Sequence, residues 1–185
     1  MAHRVCPWWL GYLLISPLRS WWQDPAKILN GYVSPGMTVL EPGPGMGFFT
    51  LDLLRKVGDG GKVVALDVQP KMLSRLKRRA AKAGVSSRLD ARLAAADSMG
   101  MADLTGKVDF TLAFAVVHEF PDAADFFRQV AAASEPGAAI LLAEPKGHLS
   151  SEEFEKELYA ASQSGFRVQS RPPIPRSLTA LLVKS

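Results

Sequence analysis

The sequence has little cysteine, no long hydrophobic run and only a small excess of positive charge, and each absence narrows the class of protein. Its 185 residues include one cysteine, Cys6, which excludes an internal disulfide framework and a thiolate-built metal site within one chain. No run of about 18 or more apolar residues occurs, so no segment is predicted to span a bilayer. The formal net charge of +4 does not by itself indicate a nucleic-acid partner.

The first 36 residues differ from the rest because they are rich in aromatic side chains and lack a strand–helix pattern. Residues 5–18 have the length of a signal-peptide core, but they contain Pro7 and Pro17 and lack a small-x-small cleavage site. We therefore predict a cytoplasmic location. Residues 1–36 are interpreted as an N-terminal extension, with packing against the sheet or peripheral contact with a membrane surface as alternatives.

From residue 37 onward, short apolar runs alternate with helical stretches, which predicts an α/β fold with a parallel sheet covered on both faces. Strands are predicted at 37–41, 62–67, 89–95, 108–116 and 138–143, and helices at 48–57, 70–83, 122–133 and 151–164. A turn at 135–137 is expected to end the third of these helices. Two last strands, 166–169 and 178–183, flank a short proline-rich connector and should pair antiparallel.

The glycine-rich turn EPGPGMG, at residues 41–47, follows the first predicted strand directly and is the strongest site signal. Glycines let a backbone approach a ligand closely. Phe48 stands where a dinucleotide-binding fingerprint has its last glycine. Glu41 would repel a pyrophosphate but attract an ammonium or sulfonium group. Asp67 ends the second strand, where an acid accepts hydrogen bonds from the ribose hydroxyls of an adenosine.

These features together resemble the class I S-adenosylmethionine-dependent methyltransferases. The resemblance covers roughly residues 25–185 and rests on EPGPGMG, on Asp67 after KVVAL, on Ala96-Asp97-Ser98 and on the closing pair of strands. It implies a doubly wound, Rossmann-like sheet of seven mostly parallel strands in the order 3-2-1-4-5-7-6, with the last strand antiparallel. It also implies S-adenosylmethionine as the cofactor, S-adenosylhomocysteine as the product, and residues 37–185 as the cofactor-binding domain.

The resemblance also assigns residues to the cofactor. Glu41 would contact the methionine amine, Asp67 the ribose hydroxyls and Asp97 the adenine amino group. The other assigned positions would line the cofactor: Gly43, Pro44, Gly45, Gly47, Val68, Gln69, Ser98, Met99 and Ala115. Each acid also has a purely structural interpretation, as a strand-end acid for Glu41, a helix cap for Asp67 and a turn former for Asp97.

Residues after the fourth strand should face the substrate, because ligands bind beyond the carboxyl ends of parallel strands where the strand order reverses. His118 is the candidate base, since an imidazole titrates near neutrality, and Glu119 follows it as a second candidate catalytic residue. Glu144 and His148 follow the fifth strand and would lie at the same edge. His118 or Glu119 could instead cap the following helix or hold the loop. The four residues together could ligate a metal, or could bind polar substrate atoms or one another, and we predict no metal site.

We predict methyl transfer by in-line displacement to a small-molecule acceptor. An apolar or aromatic acceptor would suit residues 1–36 if they form an aromatic lid, as extensions in the resembled family commonly do. The alternatives are an adenosyl-cofactor-binding protein without methyl transfer and an NAD(P)-dependent oxidoreductase, which Glu41 and Phe48 disfavour. No nucleic-acid partner is expected, because the basic helix 70–83 lacks interleaved aromatics. In addition, AVVHEF stands after the fourth strand, where the resemblance would lead us to expect an NPPY-like tetrapeptide in an enzyme that methylates the amino groups of nucleobases. The sequence predicts no oligomeric state.

Overall fold

A computed structural model of the chain describes residues 23–95 and 98–185. Most of the predicted aromatic extension, including Cys6, and the predicted adenine-binding Asp97 lie outside these residues. Within the described ranges, no helix is both long enough and apolar enough to cross a bilayer. The described residues fall into two compact units, 23–100 and 101–185.

The first unit alternates helices and strands in the predicted order. Its elements are α1 Pro25–Ile28, β1 Thr38–Pro42, α2 Thr50–Val57, β2 Lys62–Asp67, α3 Pro70–Lys82 and β3 Leu89–Leu93. β2 pairs in parallel with both β1 and β3. β1 and β2 are buried along nearly their whole length, as expected for strands covered on both faces.

The second unit contains the remaining strands. Its elements are β4 Val108–Phe114, α4 Ala123–Ala133, β5 Ser134–Pro145, α5 Ser151–Gln163, β6 Phe166–Ser170 and β7 Ser177–Lys184. β4 and β5 are parallel, and β7 runs antiparallel to both β5 and β6. The sheet has seven strands in the order β3-β2-β1-β4-β5-β7-β6. The predicted fold class, strand order and reversed last strand are therefore confirmed.

Local sequence signals explain where the longer helices begin and which face they bury. Pro70 occupies the first turn of α3, where its missing N–H costs nothing. The apolar residues of α3 recur at helical spacing and are buried, namely Met72, Leu73, Leu76 and Ala80. α5 begins with a capping box, in which Ser150 and Glu153 satisfy each other's backbone N–H groups.

Several observed boundaries differ from the predicted ones, and two of these differences have a visible structural cause. α2 begins at Thr50 rather than at residue 48, because the turn closed by the Gly47 N–H on the Pro44 carbonyl (2.9 Å) extends the loop. β5 begins at Ser134, where a turn at 135–137 was expected. Val108 pairs with Ser134 but Phe110 pairs with Ala139, so the turn residues form an exposed bulge inside β5.

Gly47 provides a test of how α3 packs on the glycine turn. A Cβ at Gly47 would stand 2.5 Å from Leu76 Cδ1, whereas one at Gly45 would meet nothing within 4 Å, and both residues have positive φ. Gly47→Ala and Gly45→Ala should therefore each lose about 1–2 kcal/mol of unfolding free energy, because alanine is disfavoured in the left-handed backbone conformation. Gly47→Ala should lose about 1–3 kcal/mol more unfolding free energy through overpacking. Urea denaturation without ligand measures both, and equal losses would show that Leu76 does not require glycine there.

Candidate active site

The glycine turn lies at the carboxyl end of β1 and is tied to β2. The Gly43 N–H donates to the Leu66 carbonyl at 2.8 Å. Gly43, Gly45 and Gly47 all have φ between 54° and 84°, a region that side chains disfavour. Among the described residues, no atom lies within 4 Å of a Cβ placed at Gly45, so a side chain there would enter open space. Gly47 instead faces α3, so packing accounts for the glycine at this position. Pro44, which stands between Gly43 and Gly45 in the sequence, is buried.

Glu41 is a buried acid with an unused hydrogen-bonding atom. The residue is 3% exposed, and within residues 23–95 and 98–185 its Oε2 has no hydrogen-bond partner. Burial raises the pKa of Glu41 to about 7, with the nearby Asp67 charge adding to the rise and the Thr50 hydroxyl opposing it. A buried carboxylate oxygen without a donor is costly. A cationic ammonium would supply that donor, so this residue fits the amine of S-adenosylmethionine.

Asp67 joins the end of β2 to the glycine turn. Its Oδ1 accepts the Gln69 N–H at 2.8 Å. Burial raises the pKa of Asp67 to about 6, while hydrogen bonds from the Gln69 and Gly45 N–H groups lower it. Asp67 therefore closes a turn before α3, but it is not the N-cap of that helix, which is Gln69. The adjacent Val68 side chain is 44% exposed and offers an apolar surface next to this carboxylate.

The two described residues of the predicted adenine side differ in accessibility. Ser98 is exposed, and its Oγ accepts the Gly100 N–H at 3.2 Å. Met99 is 2% exposed and belongs to the core. Ser98 therefore presents polar atoms to the surface, whereas Met99 supports the segment from inside.

The end of β4 is shaped by a left-handed alanine. Ala115 has φ 56°, and its N–H donates to the Ala143 carbonyl of β5 at 2.7 Å. The backbone N–H groups of Val116 and Val117 then donate to Glu144 Oε1, at 3.2 and 2.8 Å. Non-glycine residues with positive φ are strained and concentrate at functional sites. Ala115 thus turns the chain so that the Glu144 carboxylate receives two backbone donors.

Glu144 also binds His118. Glu144 is fully buried, and its Oε2 is hydrogen-bonded to His118 Nδ1. Because a carboxylate only accepts, the proton of this bond lies on Nδ1, which leaves Nε2 as the acceptor of the neutral ring. The hydrogen bond to Glu144 raises the pKa of His118, burial opposes the rise, and the charges of Glu144, Glu119 and Glu157 add to it. The arrangement therefore fixes the tautomer of His118 and leaves Nε2 able to accept a proton.

The structure brings together His118, Glu144 and His148. The His118 and His148 rings meet edge to face, with centroids 5.7 Å apart. Glu119 lies in the short 3-10 turn Val117–Glu119 and acts on His118 through its charge. Across residues 23–95 and 98–185, no three His, Cys, Asp or Glu side chains are grouped so that they could hold a metal ion.

Glu157 of α5 is a further acid of this cluster, and the sequence analysis missed it. The residue is 6% exposed, and its Oε2 has no hydrogen-bond partner. Burial raises the pKa of Glu157 to about 8, with Glu144 raising it further and His118 lowering it. The available signal was an acid within the apolar face of the helix, since Phe154, Leu158 and Ala161 are its buried neighbours on α5.

A sheet of this order, with a glycine turn after β1 and an acid at the end of β2, defines the Rossmann-like methyltransferase fold. A family model described as a methyltransferase domain matches residues 33–171. The chain belongs to this family and is an S-adenosylmethionine-dependent methyltransferase. No curated protein matches the chain.

Solved structures share the fold at low sequence identity. A SAM-dependent methyltransferase from Aquifex aeolicus is 24% identical, with a TM-score of 0.84 over 97% of this chain and 98% of that one. A methyltransferase from Mesorhizobium loti is 16% identical, with a TM-score of 0.71 over 92% and 100%. A SAM-dependent O-methyltransferase from Thermotoga maritima is 19% identical, with a TM-score of 0.69 over 87% and 64%.

The buried acid Glu157 predicts a specific pH dependence of stability. Its folded pKa of about 8 exceeds the ordinary 4.5, so the stability that it contributes is present below pH 4.5 and is lost as the pH rises through 8. Glu157→Gln keeps the neutral form and should gain stability relative to the unmodified protein between pH 5 and pH 9. Urea denaturation at pH 5, 7 and 9 measures this difference.

Glu152→Gln, on the exposed face of the same helix, is the matched control, and its difference from the unmodified protein should change little with pH. Parallel stability curves for Glu157→Gln and the unmodified protein would contradict the assignment of a buried, protonated carboxyl group.

Proposed function

We propose that this methyltransferase acts on a small-molecule acceptor whose nucleophilic atom must lose a proton, and that His118 is the base that takes it. The observation that carries the proposal is the fully buried Glu144 carboxylate bonded to His118 Nδ1. Burying a carboxylate is expensive unless donors surround it. A residue that only closed a loop would not need this carboxylate–imidazole pair, whereas a base needs its tautomer fixed.

Except for Ala115, the cofactor residues of the proposal lie in the first unit. S-Adenosylmethionine, when bound, supplies a methyl group activated by its sulfonium. Glu41 receives the amine of the methionine moiety. The backbone at Gly43, Pro44 and Gly45 approaches the methionine chain of the cofactor beside that amine. Asp67 receives the ribose hydroxyls and Asp97 the adenine amino group. Val68, Gln69, Ser98 and Met99 flank the adenine. Gly47 and Ala115 are the remaining positions that line the cofactor.

His118 then handles the proton of the acceptor. The acceptor atom would form its new bond to the methyl carbon with its own lone pair, while the sulfur–methyl bond would break and leave its electron pair on the sulfur of S-adenosylhomocysteine. The hydrogen of the acceptor atom would pass as a proton to His118 Nε2. The imidazolium that forms is stabilised by the Glu144 carboxylate on Nδ1. The proton later leaves Nε2 for solvent, which restores the neutral ring. Glu119 adds negative charge that stabilises the same imidazolium.

Charge supports a small molecule over a nucleic acid as the acceptor. His118 is influenced by the carboxylates of Glu119 and Glu144. A nucleic-acid backbone carries about one negative charge per nucleotide and is bound mainly by cations. Acidic groups around the proposed base would repel it.

The proposal is tested by incubating the protein with S-adenosylmethionine and a panel of phenols, amines and thiols. S-Adenosylhomocysteine and methylated products are measured by mass spectrometry. Turnover of a member that carries an O–H, N–H or S–H group is expected. Methylation of no member of the panel would contradict the proposed class of acceptor.

The proposed amine contact predicts that cofactor affinity depends on pH. Since the pKa of Glu41 is about 7 and that of Asp67 about 6, both acids ionise as the pH rises, and the ionised forms attract the cation. Affinity for S-adenosylmethionine should increase from pH 5.5 to pH 8. Glu41→Gln should weaken binding at pH 8 about 10–100-fold, the value of one charge-assisted hydrogen bond, and should flatten the pH profile. Isothermal titration calorimetry measures both effects.

The control ligand for this titration is 5′-methylthioadenosine, which lacks the amine. Its affinity should respond much less to Glu41→Gln. Equal weakening of both ligands would place Glu41 away from the methionine amine.

The hydrogen bond between His118 and Glu144 predicts that replacing Glu144 by glutamine abolishes the proposed base but keeps the fold. In Glu144→Gln, the amide oxygen keeps the Val116 and Val117 donors, so the NH₂ group must face His118 Nδ1. The ring then carries its proton on Nε2 and cannot act as a base, and kcat should fall about 10²–10⁴-fold. His118→Ala should cause a loss of similar size.

Glu119→Gln is the matched comparison because it removes a charge near His118 but leaves the hydrogen bond to Glu144. Its kcat should change far less than that of Glu144→Gln. In the unmodified enzyme, kcat should rise with pH through the elevated pKa of His118, and a pH-independent kcat with equal effects of both variants would contradict the base.

A further inference from the structure

Arg79 of α3 contacts the glycine turn on its helix side. Its Nη1 donates to the carbonyl oxygens of both Met46 and Gly47, the second at 2.9 Å. The side chain is half-buried, and desolvation lowers the pKa of its guanidinium without removing the charge. A charged donor that binds two successive carbonyls fixes two peptide planes of the turn.

The same face of α3 makes a second contact with the turn. Leu76 precedes Arg79 by three residues and therefore lies on the same side of the helix. Leu76 occupies the space that a Cβ at Gly47 would need. Packing by Leu76 and hydrogen bonding by Arg79 thus hold one short segment from one helix, and they do so where the Gly47 N–H closes the turn on the Pro44 carbonyl.

α3 also begins next to the other proposed cofactor contact. Its first residue, Pro70, follows Asp67 by three positions, and the Gln69 N–H is bonded to the Asp67 carboxylate. One rigid helix therefore connects the ribose-side acid with the glycine turn. Without Arg79, the turn would lose these two hydrogen bonds to α3, and the orientation of its peptide planes would be less restrained.

From these contacts we infer that Arg79 is a positioning residue for the methionine half of the cofactor. It does not touch the ligand but holds the turn that does. This inference rests on the proposed placement of the methionine moiety beside the glycine turn. It predicts that loss of Arg79 weakens ligands that carry the methionine chain and spares ligands that carry only the adenosine.

The test compares Arg79→Ala, Arg79→Lys and the control Arg78→Ala. Arg78 is the exposed neighbour whose Nη2 donates only to Ser74 Oγ, at 3.2 Å. Calorimetric titration with S-adenosylhomocysteine and with 5′-methylthioadenosine gives an affinity for each variant. Arg79→Ala should weaken S-adenosylhomocysteine about 10-fold, as for loss of charged hydrogen bonds, with 5′-methylthioadenosine nearly unchanged. Arg79→Lys should recover part of the loss, and Arg78→Ala should match the unmodified protein.

Equal weakening of both ligands by Arg79→Ala would overturn the inference, because a general loosening of the unit would then explain the loss. No weakening of either ligand would overturn it as well. If Arg79→Ala does not fold, Arg79→Lys decides the question by the same ratio of affinities. An unmodified protein that binds both ligands equally would instead contradict the proposed cofactor placement, so the two failures are distinguishable.

Discussion

The Glu144 carboxylate organises the second unit at the carboxyl ends of strands β4 and β5. It is fully buried, yet it accepts two backbone N–H groups on one oxygen and binds an imidazole on the other. The left-handed Ala115 precedes the two backbone donors. Its strain costs about 1–2 kcal/mol, and charge-assisted hydrogen bonds of this kind are strong enough to offset it. The local backbone conformation and the orientation of the His118 ring therefore follow from one buried charge.

The buried acids of the two units differ in how many of their carboxylate oxygens receive hydrogen bonds from the protein. This difference separates an acid that positions another residue from an acid that can bind a ligand. Glu144 has its donors supplied by the chain, so it needs no ligand and serves to orient His118. Glu41 leaves one oxygen without a donor, and burial raises its pKa to about 7. An acid in that state takes up either a proton or a cationic ligand near neutral pH. Glu157 resembles Glu41 in having an orphan oxygen, but its higher pKa of about 8 keeps it protonated at neutrality.

Much of the fold was predictable from the sequence because its signals are local. Alternating apolar runs and helical stretches indicated the α/β class, and the motif at 41–47 with Asp67 pointed to the family and hence to the strand order. The start of β5 was not predictable in this way. A Pro-Gly pair normally ends an element, but here pairing of Ser134 with Val108 carries the strand past it as a bulge. Such pairing depends on a partner 26 positions away, which a local pattern does not contain.

The candidate site was predictable where a residue follows a strand and was missed where its role depends on tertiary packing. His118 follows β4 and Glu144 lies near the end of β5, and the parallel pairing of those strands explains their meeting. Arg79 lies in a run of basic residues that the sequence does not distinguish, and only its two carbonyl contacts set it apart. Gly47 belonged to a ligand-binding motif by spacing, whereas its contact with Leu76 gives it a packing role.

The charges around His118 also restrict the chemistry of the proposed acceptor. Neighbouring carboxylates raise the pKa of His118, which makes the neutral ring a stronger base but less abundant at neutral pH. A stronger base is useful only for an acceptor that still holds its proton at that pH. Carboxylic acids are already ionised there, need no base, and would be repelled by the same carboxylates. Phenols, amines and thiols retain a proton to be removed and carry no negative charge on arrival. The electrostatics that favour His118 as a base therefore favour neutral or cationic acceptors with an O–H, N–H or S–H group.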